Sequence, residues 1–285
     1  MGIFLALLPA IAWGSILLFS VKLGGGAYSQ TVGMTFGALF FSIVVYVFIQ
    51  PVLTLTVLVV GFVSGLFWAF GQVNQLKTVE KLGVSSTVPI STGLQFVSTS
   101  FFGVIVFREW STIISVVLGV FALVFIVVGV VFTSFESDEE KNAEPAGHFK
   151  RGLLILFVST FGYFVYVVVI RLFNVDGWSA FLPQAVGMFF GGVLLTFKHH
   201  PFNKYAIRNV FSGLLWGAGN LFLFLSLPRV GVATSFSLSQ IGIVISTFGG
   251  IVFLGERKTK RQLMFIVVGI VFIIGGAVLL GMTKA

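Results

Sequence analysis

Along this chain the apolar positions do not alternate or recur at every third or fourth place; they run on for about twenty residues at a time. Ten such runs can be read, near 2–20, 31–50, 52–75, 83–106, 111–133, 151–171, 177–197, 205–227, 231–254 and 261–282. A helix needs about 20 apolar residues to cross the hydrocarbon core of a bilayer, so each run predicts one transmembrane helix. Pro51, in "IQPVLT", predicts a tight turn between the second and third. The first run lacks a basic start and a small-residue cleavage motif, so it reads as a retained helix and not a signal peptide.

Composition agrees with the pattern. Of the 285 residues 57% are hydrophobic and 9% charged, where a soluble domain carries roughly a quarter charged. The chain has no cysteine, which excludes disulfides and thiolate metal sites. The net charge of +8 comes from basic residues in the loops, 13 of the 17 Lys and Arg lying on the odd-numbered loops of a ten-span reading. The positive-inside rule then puts those loops in the cytoplasm and both termini outside.

The one clearly hydrophilic stretch, "SFESDEEKNAEPAGHFK", divides the chain into residues 1–133, a cytoplasmic linker at 134–150, and residues 151–285. The two long parts repeat one another. "QTVGMTFG" from Gln30 matches "QAVGMFFG" from Gln184, and "GLFWAFGQ" from Gly65 matches "GLLWGAGN" from Gly213. "LGVSST" from Leu82 matches "VGVATS" from Val230, and "FFGVIVFRE" from Phe101 matches "FGGIVFLGE" from Phe248. Each repeat holds five spans, an odd number, so the second copy enters the bilayer upside down. The predicted fold is an all-α integral membrane protein of ten transmembrane helices in two inverted five-helix repeats, an architecture of secondary transporters with the substrate held between the halves.

Polar residues inside the spans locate that site. Trp68, Gln72 and Gln75 share a helical face, and Trp216 and Asn220 form its echo in the second repeat. Thr92 and Gln95 in the fourth span, Ser239 and Gln240 in the ninth, Trp13 in the first and Tyr163 in the sixth extend the set. Gln30 and Gln184 open the second and seventh spans and are included as candidate substrate-binding residues. Amides avoid lipid, so they turn either to partner helices or to a wet cavity. Pro89 is the candidate kink or gating position, since it interrupts the helical ladder.

Charge is absent from the middle of every span. The acidic residues outside the linker, Glu80, Glu109, Asp176 and Glu256, lie at span ends or in loops. Buried ionisable groups normally mark ion pathways or charged substrates. A neutral solute fits this chain better. Indole rings for C–H faces, with amides and hydroxyls for O–H groups, suit a sugar best, with a nucleoside or neutral amine as alternatives. No acid/base pair, metal cluster or activated nucleophile is found within the spans, which argues against an enzyme and against any cofactor.

At "GQVNQ", "GVSSTVPISTGLQ", "FFGVIVFREW" and "GVATSFSLSQ" the sequence resembles the bacterial glucose/ribose uptake family of the drug/metabolite transporter superfamily, over the whole chain. The resemblance implies ten helices, import of glucose or ribose across the plasma membrane, proton symport, and a cavity lined by spans one to four and six to nine. Coupling to protons would fall to a span-end acid, Glu80, Glu109 or Glu256. The competing readings are an exporter or facilitator of another neutral metabolite from the same superfamily, and a membrane scaffold or sensor that transports nothing.

Overall fold

The computed structural model describes residues 2–135 and 147–283, so most of the expected linker, with its acids from Glu136 to Glu144, lies outside the described residues. Within them the chain is helical, with no strand. The helices are α1 (Gly2–Leu23), α2 (Ala27–Ile49), α3 (Leu55–Phe107), α4 (Ile113–Thr133), α5 (His148–Leu172), α6 (Gly177–Thr196), α7 (Lys204–Ser239), α8 (Gly242–Phe253) and α9 (Lys260–Met282). Eight helices among the described residues are long and apolar enough to cross a membrane, and a shorter apolar one covers Ser237–Phe253. Helices are the form such a sequence takes in lipid, because each satisfies its own backbone donors and acceptors. The protein is a multi-pass membrane protein.

Polar residues mark where helices begin. Thr54 accepts from the Val57 amide, Asp176 from Trp178 and Ser179, and Asn203 from Tyr205 and Ala206. Thr112 with Ser115, and Thr259 with Gln262, form capping boxes. The expected turn at Pro51 is present, with Gln50 in the left-handed region just before it.

Two boundaries differ from the hydrophobic pattern. The polar stretch 76–82 reads as a loop between the third and fourth spans, yet it is helical, and α3 breaks only at Gly83 (φ 74°, ψ 171°). Pro89, the expected kink, is buried six residues further on within α3, and the observed break is not at that proline. Conversely, the run 231–254 is interrupted: α7 ends at Ser239 and α8 begins at Gly242. The boundary between the eighth and ninth runs is a break inside α7 at Gly231 (φ 79°, ψ 165°).

Helices from before and after residues 136–146 are interleaved. α5 and α6 pack along α3, while α1 and α2 pack along α7. Small residues allow close approach: Gly65 of α3 lies against the Gln184–Met188 turn of α6, and Gly213 of α7 against the Met34–Ala38 turn of α2. α4 and α9 pair with each other, Gly129 against Gly269, in a separate apolar cluster that includes Ile126, Ile270 and Ile273. The outer surface carries exposed Phe36, Phe40, Phe48, Leu154, Phe157 and Phe161, whereas Ser20, Thr31, Ser64, Thr87 and Ser212 are fully buried. Such an inside-out distribution is that of a chain solvated by lipid.

Candidate functional site

A cavity of about 430 Å³ lies among these interleaved helices. Trp13 comes from α1; Trp68, Gln72, Gln75, Thr92 and Gln95 from both sides of the α3 break; Tyr163 and Tyr166 from α5; Trp216 and Asn220 from α7. Ser239 and Gln240 stand at the gap between α7 and α8, and Ser246 follows in α8. Non-helical backbone at membrane depth is tolerated where it lines a cavity, which accounts for an interruption there. Among the described residues lining it there is no Asp, Glu, Lys, Arg or His.

The two Trp residues read as equivalent in the repeats meet at the cavity wall. Their ring centroids are 5.7 Å apart, edge to face, and both side chains are about 5% exposed or less. Phe181 stacks on Trp216 at 5.5 Å, Tyr163 stands edge-on to Trp68 at 6.4 Å, and the Trp13 indole N–H donates to the Trp216 carbonyl at 3.3 Å. These contacts hold the two indoles from three directions.

The amides form a chain of bonds around this corner. The Tyr163 hydroxyl lies 2.6 Å from Gln72 Oε1 and 2.9 Å from Gln75 Oε1. Gln75 Nε2 and Gln95 Nε2 both donate to Ser91 Oγ, at 2.9 and 3.1 Å. Asn220 Nδ2 donates to the carbonyl of Trp216 at 2.9 Å, and Gln240 Nε2 to Ser239 Oγ at 3.0 Å. Gln72 Nε2 is buried with no hydrogen-bond partner. A buried donor left so costs about 1–3 kcal/mol, and a ligand acceptor placed beside it would remove that cost.

Eleven of the thirteen candidate binding residues from the sequence therefore line one cavity. Gln30 and Gln184 do not. Gln30 Nε2 donates at 2.7 Å to the carbonyl of Gly25 in the turn before its own helix, and Gln184 Nε2 donates at 2.8 Å to Ser64 Oγ, so Gln30 fixes the α1–α2 turn and Gln184 ties α6 to α3. Tyr166 and Ser246 line the cavity without having been assigned a role; the spacing of three from Tyr163 is the signal that marks Tyr166. The candidate acids lie outside it. Glu80 Oε1 accepts from the Ala27 amide at 2.6 Å and so caps α2, Glu109 pairs with Arg171, and Glu256 accepts from the amides of Val84 and Ser85. No cluster of acidic or His side chains that could hold a metal occurs among the described residues.

Comparison with known proteins gives this cavity a context. A family model described as sugar transport protein matches residues 4–283. The chain is 74% identical over 285 residues to a probable glucose uptake protein GlcU of Bacillus anthracis, covering 100% of both chains. It is 65% identical over 284 residues to the glucose uptake protein GlcU of Bacillus subtilis (strain 168), covering 100% of this chain and 99% of that one. A solved crystal structure at 14% identity shares the fold, with a TM-score of 0.59 over 98% of this chain and 95% of its own. The family match reaches every helix described above, and on it the chain belongs to the sugar transport protein family, its relatives here being named for uptake and not for catalysis.

Proposed function

We propose that the chain imports a neutral monosaccharide, glucose in preference to ribose, across the plasma membrane by alternating access between two inverted five-helix halves. The observation that carries this reading is the uncharged cavity shared by both halves, with an indole corner and a ring of amides and hydroxyls. Its volume falls within the range of about 300–1,000 Å³ usual for small-molecule sites. Breaks at Gly83 and Gly231 support ten spans, two from α3 and the others from α7 with α8 and the remaining helices. The excess of basic residues on odd loops supports termini on the outer face. The names of the relatives, glucose uptake proteins, favour import over export of another metabolite and over a scaffold.

Proton coupling in this reading runs through an acid outside the cavity, because Glu80, Glu109 and Glu256 all lie off its wall. The test is counterflow of labelled glucose and ribose in liposomes containing the purified protein, with and without a pH gradient. Glucose is expected to exchange faster than ribose, and net uptake to rise when the outer medium is acid. Absence of counterflow for any sugar removes the importer reading. Uptake indifferent to the gradient replaces symport by facilitated diffusion.

A further inference from the structure

Where α1 finishes and α7 starts, the two helices run antiparallel in a register fixed by side chains. Ser20 Oγ donates to Ser212 Oγ at 3.0 Å, and Asn209 Nδ2 donates to the Gly24 carbonyl at 3.1 Å. In that register Phe19 meets Phe211, edge to face at 5.0 Å. Lys22, one turn further along α1, then comes level with Arg208, one turn earlier in α7.

The exposed face of α7 here reads Lys204, Ile207, Arg208 and Phe211, spaced three and four apart, and exposed Phe19 and Lys22 continue it on α1. Along both helices the surface passes from apolar to basic toward the same end: Phe19 to Lys22 in α1, Phe211 to Arg208 and Lys204 in α7. An apolar strip that ends in cations has the polarity of an anionic amphiphile.

Two of the cations are drawn to one point. Lys204 Nζ lies 5.1 Å and the Arg208 guanidinium carbon 5.6 Å from the centroid of the same Tyr205 ring, both within cation–π range. Tyr205 is seated on the α1–α2 turn, where Gly24 and Gly25 take φ of 82° and 81°, and a Cβ on Gly25 would come within 2.5 Å of Tyr205 Cβ. Among the described residues no carboxylate pairs with Lys22, Lys204 or Arg208. Glu80, which reaches this turn, accepts from the Ala27 amide at 2.6 Å. Like charges gathered at one ring repel, and an anion placed between them turns that repulsion into attraction.

We propose that this face binds one anionic phospholipid, its phosphate held by Lys204 and Arg208 with Lys22 across from them, and its acyl chain lying along Phe19 and Phe211. The guanidinium offers paired N–H donors to phosphate oxygens, and the ammonium groups add charge. A zwitterionic lipid brings the same phosphate with a choline cation that three basic groups repel, so net charge sets the preference. A free phosphate lacks the chain that would cover the exposed Phe pair. The lipid clasps the helices that carry Trp13 and Trp216 to the cavity wall, and its site stands whatever solute the cavity takes.

The test titrates purified protein in nonionic detergent with dioleoyl phosphatidylglycerol or dioleoyl phosphatidylcholine and counts bound lipid by native mass spectrometry. The first phosphatidylglycerol is expected to bind roughly tenfold tighter than phosphatidylcholine or more, the effect of several basic residues near an anionic headgroup. Lys204→Gln and Arg208→Gln should each weaken it about fivefold and leave phosphatidylcholine unchanged. Phe211→Ala should weaken both lipids alike. Arg257→Gln removes the same charge from the exposed loop between α8 and α9 and should change neither. All four side chains are exposed, so the substitutions leave the helix packing in place. Equal affinity of the two lipids for the wild-type protein overturns the proposal, as does unchanged binding in Lys204→Gln and Arg208→Gln. An Arg257→Gln effect as large as that of Arg208→Gln also overturns it, by making the attraction a property of net charge. Displacement by millimolar inorganic phosphate, or full affinity in Phe211→Ala, would leave a site for a free anion and overturn the lipid. None of these readings needs sugar, so the lipid site can fail while counterflow stands, and it can hold in a protein that moves no sugar.

Discussion

Gln72→Ala protein is expected to fold and reach the membrane with its thermal stability intact, and to lose roughly ten- to a hundredfold in apparent affinity for sugar. The size follows from the cost of about 1–3 kcal/mol for a buried polar group deprived of its partner. Gln72 is 4% exposed, and its Nε2 is buried with no hydrogen-bond partner. Removing the amide therefore relieves a penalty before sugar binds and withdraws a donor after it binds. Tyr163 does not become an orphan, since its hydroxyl retains Gln75 Oε1 at 2.9 Å. The vacated space opens onto the existing cavity and so leaves no closed apolar void. Thermal melting with and without glucose, together with counterflow, separates the two effects. Wild-type affinity in Gln72→Ala would take that amide off the substrate. Trp68→Ala is also expected to abolish transport, but it removes packing against Trp216 and Tyr163, and truncating a buried Trp costs about 3–5 kcal/mol. Trp68→Phe, which keeps a ring in the corner, is the variant that isolates stacking from folding.

The cavity was largely legible because two similar stretches of sequence carry its aromatic and amide residues at the same spacing. Trp68 with Gln72 and Trp216 with Asn220 share one spacing, and helical periodicity alone puts each pair on one face. What the letters could not supply is the neighbour across the gap. Gln30 and Gln184 are amides at matching places in the sequence, yet Gln30 meets a carbonyl of the turn before α2 and Gln184 a hydroxyl of α3, and neither meets the cavity. Interhelical glue and ligand donors are the same chemistry, distinguished only by what packs opposite. Breaks in helices were misplaced for a related reason. Lys77, Glu80 and Lys81 look like a loop, but polar residues near an interface remain helical unless a glycine leaves the helical region, as Gly83 does. The gap after Ser239 falls in an apolar run whose only hint is Gln240 itself. Glu109 and Glu256 end similar stretches of sequence, and their contacts with Arg171 and with the Val84 and Ser85 amides are legible only in the structure.

Gly65→Ala and Gly213→Ala are each expected to destabilise the protein by about 1–3 kcal/mol or more, the usual cost of overpacking, although each adds one methyl group to an apolar helix. At Gly65 the new Cβ would overlap the Gln184 carbonyl oxygen and lie 2.6 Å from the Met188 amide nitrogen. At Gly213 it would overlap the Met34 carbonyl oxygen and lie 2.6 Å from the Ala38 amide nitrogen. Both obstacles are backbone atoms, which cannot rotate aside as a side chain does, so α3 must withdraw from α6 or α7 from α2. Lipid offers no hydrophobic drive to hold separated helices together, and the lost contacts are not recovered elsewhere. Since Trp68 and Trp216 follow these glycines by three residues, the same withdrawal would part the aromatic corner. Gly275→Ala is the control: its Cβ would lie 3.5 Å from Phe125 Cδ2, an ordinary contact, and stability should not fall. The measurement is unfolding in mixed micelles of graded denaturing strength. If the two α3 and α7 variants resist as well as Gly275→Ala, the halves do not interleave through these glycines, and the cavity between them would need another wall.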